Sequence, residues 1–189
     1  MSLFIAVRPN PEAVEDLQEA LHALRRHPAA TQVRWTSPSL WHITLGFLGD
    51  PDRGVDETVA ERLREWSMTP AIAGLRLASA GSFGRRVLWA GIEEGPPRDH
   101  LAALARTIPR LLRGSGATVD QRIWRPHLTL GRLLHGSSAP VIDALSDALI
   151  GYRGPAWTAT QVELVRSTGG PRPHHEVVGR MPLAEETNP

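Results

Sequence analysis

The phrase His42-Ile43-Thr44-Leu45-Gly46 returns in the second half of the chain as His127-Leu128-Thr129-Leu130-Gly131, and this repetition constrains the fold more than any other feature of the 189 residues. Two segments with the same order of polar and apolar residues call for two equivalent strands in equivalent surroundings. Successive side chains of a strand point to opposite faces. His42, Thr44 and Gly46 therefore share one face, and Ile43, Leu45 and Phe47 the other. His127, Thr129 and Gly131 are set against Leu128 and Leu130 in the same way. One face reads as core and the other as a polar cleft. Histidine titrates near neutral pH and threonine supplies a neutral donor, while the glycine is expected to leave room for a ligand beside the backbone. A lone histidine on an amphipathic strand is usually structural; two matched copies point to a shared function.

The remaining pattern alternates strands and helices. Residues 2–7, 33–35 and 40–48 read as strands, and Asn10-Pro11 caps and opens a helix carrying Val14, Leu17, Leu21 and Leu24 at helical spacing. A second helix is expected over 55–66, then a hairpin of 72–80 with 87–92 around Gly81-Ser82-Phe83-Gly84. The second half follows the same plan, with helices over 98–112 and 139–150, the second motif strand over 124–133, and a closing pair of strands over 158–166 and 175–181. Glycine-rich hairpins and close strand pairs argue for antiparallel sheets rather than one doubly wound sheet. The expected fold class is α+β: two pseudo-symmetric lobes, each an antiparallel sheet backed by helices, with the motif strands at the junction, where a cleft is expected. Residues 1–183 form one bilobal domain on this reading and 184–189 a flexible tail.

Composition narrows the chemistry. The absence of cysteine removes disulfides, thiolate metal ligands and a thiol nucleophile, and fits a cytoplasmic protein. The apolar run 3–7 is too short for a signal segment and is closed by Arg8-Pro9. No stretch approaches the ~20 apolar residues of a membrane helix. A net charge of +1 does not suit a protein that coats long nucleic acid. All 21 basic residues are arginine, whose planar fork suits phosphate, although genomic base composition accounts for most of that usage. A monomer with no obligate protein partner is expected.

Beyond the two motifs, Leu3-Phe4-Ile5-Ala6-Val7, Gly81-Ser82-Phe83 and Arg86-Val87-Leu88-Trp89-Ala90-Gly91 occur in order. Together these segments resemble the 2H phosphoesterase superfamily, named for its two His-x-Thr/Ser-x motifs. Within it they are similar to the bacterial and archaeal RNA 2′,3′-cyclic phosphodiesterases, historically called 2′-5′ RNA ligases. The resemblance covers most of the chain. It implies His42 and His127 as the catalytic pair, Thr44 and Thr129 as phosphate-binding hydroxyls, no metal and no cofactor, and RNA ends or small cyclic nucleotides as substrate. One departure stands near the end. Where the family often has Gly-Pro-x-Tyr, this chain has Gly170-Pro171-Arg172-Pro173-His174-His175, so a tyrosine contact does not carry over and the roles of His174 and His175 stay open.

Opening a 2′,3′-cyclic phosphate requires water to lose a proton as it attacks phosphorus, and the departing ribose oxygen to gain one. Two imidazoles, one neutral and one protonated, can do both. The resemblance makes His127 the base and His42 the acid on the 3′ oxygen, leaving a 2′-phosphate; exchanged roles in reverse would account for weak 2′-5′ ligation. For arginine two expectations compete. Alternation from His127 puts Arg125 on the cleft face, whereas the resemblance points to Arg132, which reaches that face only if the strand twists or bulges. Phe47 falls on the core face by the same count. Trp35, Trp41 and Phe83 are expected to be buried rather than to stack a base. A metal site competes weakly, because no carboxylate accompanies either histidine in its motif. The alternative functions are a non-catalytic binder of cyclic nucleotides or oligonucleotide ends, and a 2H phosphodiesterase acting on another small cyclic or 2′-5′-linked nucleotide.

Overall fold

A computed structural model describes residues 1–50, 52, 54–65, 69–120, 123–170 and 173–184. In chain order its elements are β1 (Ser2–Val7), α1 (Pro11–Arg25), β2 (Val33–Trp35), β3 (Ile43–Gly49), α2 (Val55–Glu65), β4 (Ile72–Phe83), β5 (Val87–Ile92), α3 (Pro96–Leu111), β6 (His127–Leu133), α4 (Pro140–Ala148), β7 (Arg153–Ala159), β8 (Gln161–Thr168) and β9 (His174–Pro182). Helix α1 starts as its sequence dictates: the Asn10 side chain accepts from the Ala13 backbone N–H at 2.9 Å, and Pro11 occupies the first turn. Leu17, Leu21 and Leu24 form its buried stripe.

All strand pairs between these elements are antiparallel, in the order β7-β4-β5-β6-β3-β1-β8-β9, with β2 added to β6. Strands β3, β1, β8 and β9 make one lobe and β6, β5, β4 and β7 the other. The lobes therefore interleave along the chain, the last two strands returning to the lobe that the first began, instead of each half of the sequence building its own. They meet at the motif strands, where the β3–β6 ladder has a single pair, Ile43 opposite Leu128. One apolar core runs through both lobes, from Leu3, Ile5 and Val7 through Ile43, Leu128 and Leu130 to Trp157 and Leu164. Helix α3 spans the junction, packing on β3 and on β4.

Several expected boundaries move for local reasons. A short 3₁₀ turn at Pro38–Leu40 delays the first motif strand to Ile43; proline suits the start of a turn and not a ladder. The second motif strand begins at His127, not 124. The β4–β5 hairpin turns at Gly84-Arg85, both left-handed (φ 55° and 53°), so β4 runs on through Gly81, Ser82 and Phe83. The strand expected over 158–166 is two strands, β7 and β8, separated at Thr160. Helix α2 ends at Glu65, and Trp66, the last residue expected in it, lies outside the described residues. Ala184 exchanges backbone bonds with Thr69 and Ala71 instead of starting a loose tail; residues 185–189 lie outside the described part.

Candidate active site

The two motif strands depart from a regular pleat at the same place. Opposite β1, Ile5 pairs with Gly46 and Ala6 with Thr44, so Leu45 has no partner. Opposite β5, Leu88 pairs with Gly131 and Trp89 with Thr129, leaving Leu130 without one. Each motif leucine is thus the extra residue of a β-bulge, which shifts the face of everything after it. Leu45 and Gly46 are both buried, as are Leu130 and Gly131, and the next residue turns outward: Phe47 in one copy, Arg132 in the other. Phe47 is 39% exposed and lines the cleft, which corrects its expected place in the core. Arg132 lines the cleft too, and Arg125 does not. Parity failed here, and the bulge that would reconcile it is present in both copies.

The motif glycines do not make room for a ligand. A Cβ on Gly46 would stand 3.1 Å from Ile108 Cγ2 on α3, and one on Gly131 only 2.6 Å from Val33 Cγ1 of β2. They let a helix and a strand approach the back of the motif strands. Because β2 sits so close, Arg34 pairs across the ladder with Arg132, and both guanidinium-bearing residues line the cleft. Sequence reasoning missed Arg34, which has no motif around it.

The cleft has a volume of about 570 Å³, and His42, Thr44, His127 and Thr129 all line it. The antiparallel register about Ile43 and Leu128 sets His42 beside Thr129 and His127 beside Thr44, so each imidazole works next to the other copy's hydroxyl. Both rings are held alike. His42 Nδ1 lies 2.7 Å from the Leu40 carbonyl and His127 Nδ1 2.7 Å from the Arg125 carbonyl, in each case two residues earlier. A carbonyl only accepts, so Nδ1 carries the hydrogen and Nε2 is left with the lone pair. Phe4, which the sequence did not single out, stacks on the His42 ring at 4.5 Å; Phe83 meets the His127 ring edge-on at 4.7 Å.

Backbone around His42 is tied down from behind. Arg8 donates to the carbonyls of Ser39 and Trp41 and bonds the buried Glu163 at 2.7 Å. Trp41 is buried as expected, whereas Trp35 is half-buried on the cleft wall with the Arg25 guanidinium 5.2 Å from its ring centroid. A third imidazole, His175 on β9, enters the cleft and meets both Phe4 and His42 edge-on at 5.2 Å. His174 faces a separate hollow near Asp56 and Glu176.

Burial disfavours the charged form of these rings. It pushes His42 down to about 4, against the raising effect of the Leu40 carbonyl and with help from His175, Arg8 and His127. His127 is also lowered, first by burial and then by Arg132, with the Arg125 carbonyl opposing. His175 is lowered by burial, Arg8 and His174. Two imidazoles held towards the neutral form, two hydroxyls and two arginines make a site suited to an anion, whose negative charge would let one ring take a proton. Among the described residues no three His, Asp or Glu side chains converge as a metal site, and no helix is long and apolar enough to cross a membrane.

The chain is similar to known proteins in sequence and in fold. A model of the 2′-5′ RNA ligase superfamily matches residues 13–171. The chain is similar to the RNA 2′,3′-cyclic phosphodiesterase of Thermotoga maritima, 31% identical over 139 residues that cover 70% of each chain. It is also similar to that of Geobacillus stearothermophilus, 27% identical over 153 residues, 79% of this chain and 47% of the relative, so that it spans about half the length of the latter. In fold it is similar to E. coli LigT complexed with 3′-AMP, with a TM-score of 0.72 at 21% identity over 96% of this chain and 97% of that one. A Thermus thermophilus protein of the same fold, TT0787, gives 0.73 at 21% identity over 98% and 100%. A motif duplicated on two bulged strands, joined at one seam and matched by a family model over most of its length, identifies the chain as a member of the 2′-5′ RNA ligase superfamily.

Proposed function

We propose that this protein hydrolyses 2′,3′-cyclic phosphodiester ends of RNA to 2′-phosphomonoesters without a metal ion. The observation that carries the reading is the symmetric presentation of His42 and His127, each fixed through Nδ1 to a backbone carbonyl and flanking the one β3–β6 pair. The names of the relatives support the substrate class, and the resemblance supports the direction. Water attacks phosphorus as His127 Nε2 takes its proton; the bond to the ribose 3′ oxygen breaks as protonated His42 gives that oxygen its proton. Burial lowers both rings, and the negative charge of the bound phosphodiester offsets that lowering for the ring that carries the proton. Thr44 and Thr129 donate to the non-bridging oxygens, and Arg132 with Arg34 balances the charge that develops on them. Run backwards with roles exchanged, the same pair accounts for weak 2′-5′ ligation. Cytoplasmic RNA ends fit a chain without cysteine.

Incubation with a panel of 2′,3′-cyclic nucleotides and cyclic-ended RNA fragments, followed by phosphorus NMR, should give 2′-phosphates, with full activity in excess chelator. Binding without product would make the protein a capture module. Loss of turnover in chelator, restored by a divalent ion, would show a metal mechanism in place of the two-histidine one.

A further inference from the structure

A second hollow of about 400 Å³ opens directly off the cleft, and the two share Thr44, Phe47 and His127 as walls. It then runs past Arg125, Ile123 and Trp124 to Arg106 on α3. Its shape is held by the frame of the catalytic site. The Trp124 indole N–H donates to the Thr44 carbonyl at 2.8 Å, and the Asp120 backbone N–H donates to the Phe47 carbonyl at 2.8 Å. Arg125 serves two neighbours at once: its carbonyl holds His127, while its side chain lines the second hollow. Arg125 and Arg106 thus bring two guanidinium-bearing residues to one hollow. Asp120 also lines the hollow. Ile123 is 85% exposed, a degree unusual for so large an aliphatic side chain, and with Phe47 it offers flat apolar surface beside the arginines.

We infer that this hollow takes the nucleotide that precedes the cyclic end, its base against Phe47 and Ile123 and its phosphodiester against Arg125 and Arg106. The inference rests on reading the cleft as a cyclic-phosphate site. A ligand threading from His127 into the hollow must be continuous with the reacting group, carry apolar planar surface and bear a negative charge. A second nucleotide meets all three conditions, since bases stack on apolar side chains and backbone phosphate pairs with arginine. The size suits one small organic group, not a long strand.

The test compares a 2′,3′-cyclic mononucleotide with a dinucleotide carrying the same cyclic end. Arg106→Glu, on the solvent side of α3 and outside the cleft, should lower kcat/KM for the dinucleotide about tenfold, as expected for loss of a charge-assisted phosphate contact, and leave the mononucleotide unchanged. Arg125→Ala keeps the carbonyl that holds His127, and should also lower the dinucleotide-to-mononucleotide ratio. Calorimetric binding of the dinucleotide 2′-phosphate gives a readout independent of turnover, and Arg106→Glu should weaken it by the same factor. If both substrates turn over and neither variant moves the ratio or the binding, the hollow is not a nucleotide subsite. If neither substrate turns over in the wild type while binding still depends on Arg106, the subsite stands and the activity reading falls.

Discussion

A half-buried histidine, proposed here as catalytic, ties stability to pH at the scale of a single side chain. In the unfolded chain His42 titrates near ~6.5; in the fold it is pushed down to about 4. Its neutral form is common to both states above ~6.5, so nothing is lost there. Below that pH the unfolded state binds a proton that the folded state refuses, and stability falls until the folded pKa near 4 is passed. The stability of the wild type relative to His42→Gln should therefore decline as pH drops from ~6.5 to about 4; melting curves across that window check it, and a constant gap would mean that the ring is not desolvated. The same lowering shapes activity. With both imidazoles depressed, kcat/KM should peak on the acid side of ~6.5, and the kcat profile should shift upward because the bound phosphodiester favours protonation. His42→Ala and His127→Ala should each reduce turnover by about 10²–10⁴, and the double variant by much less than the product, since the two act as a unit. A folded single variant with near wild-type turnover would make that ring structural.

At the scale of the element, the bulged strand decides which residues line the cleft. The motif spacing made the histidines and threonines legible in the sequence, because strand periodicity up to the threonine is regular and both copies obey it. Legibility ended at the next residue. Nothing in the composition of Leu45 or Leu130 announces that it will lack a ladder partner, so counting by twos turned Phe47 and Arg132 away from the cleft that both line; Arg125 escaped the count for another reason, since β6 begins only at His127 and the residues before it are not pleated. Phe4 and Arg34 were hidden for another reason: they reach the site from β1 and β2 through tertiary pairing, which no local pattern records. The glycines now have a structural task that can be tested. Gly131→Ala would press a methyl into Val33 and the Arg34 carbonyl, costing about 1–3 kcal/mol as overpacking and displacing the Arg34 and Arg132 pair, so KM for a cyclic nucleotide should rise with the fall in melting temperature. Gly46→Ala meets an Ile108 methyl at 3.1 Å, with its other neighbours at 3.5 Å and beyond, and should be milder. Arg132→Ala should lower kcat/KM for the mononucleotide roughly ten- to a hundredfold, the worth of one charged hydrogen bond at ~1.5–3 kcal/mol. A neutral outcome beside a large mononucleotide loss in Arg125→Ala would restore the parity count.

At the scale of the molecule, each lobe contributes one histidine, so the distance between His42 and His127, the proposed acid and base, is a property of how the lobes pack. One ladder pair is a slender link. The junction is held instead by the continuous core and by α3, whose fully buried Ile108 lies behind Gly46 while the helix also packs on β4 of the other lobe. The interleaved topology reinforces this, because the chain passes from the first lobe to the second and back, and neither lobe is a separable segment. Unfolding should accordingly be a single cooperative event. In a denaturant titration followed by tryptophan fluorescence and by turnover, the two curves should coincide. Ile108→Ala should shift both midpoints together by the cost of a buried cavity, about 2–5 kcal/mol. If turnover were lost well before fluorescence changed, the lobes would be separating while each remained folded, and the shared core would not be what sets the spacing of His42 and His127.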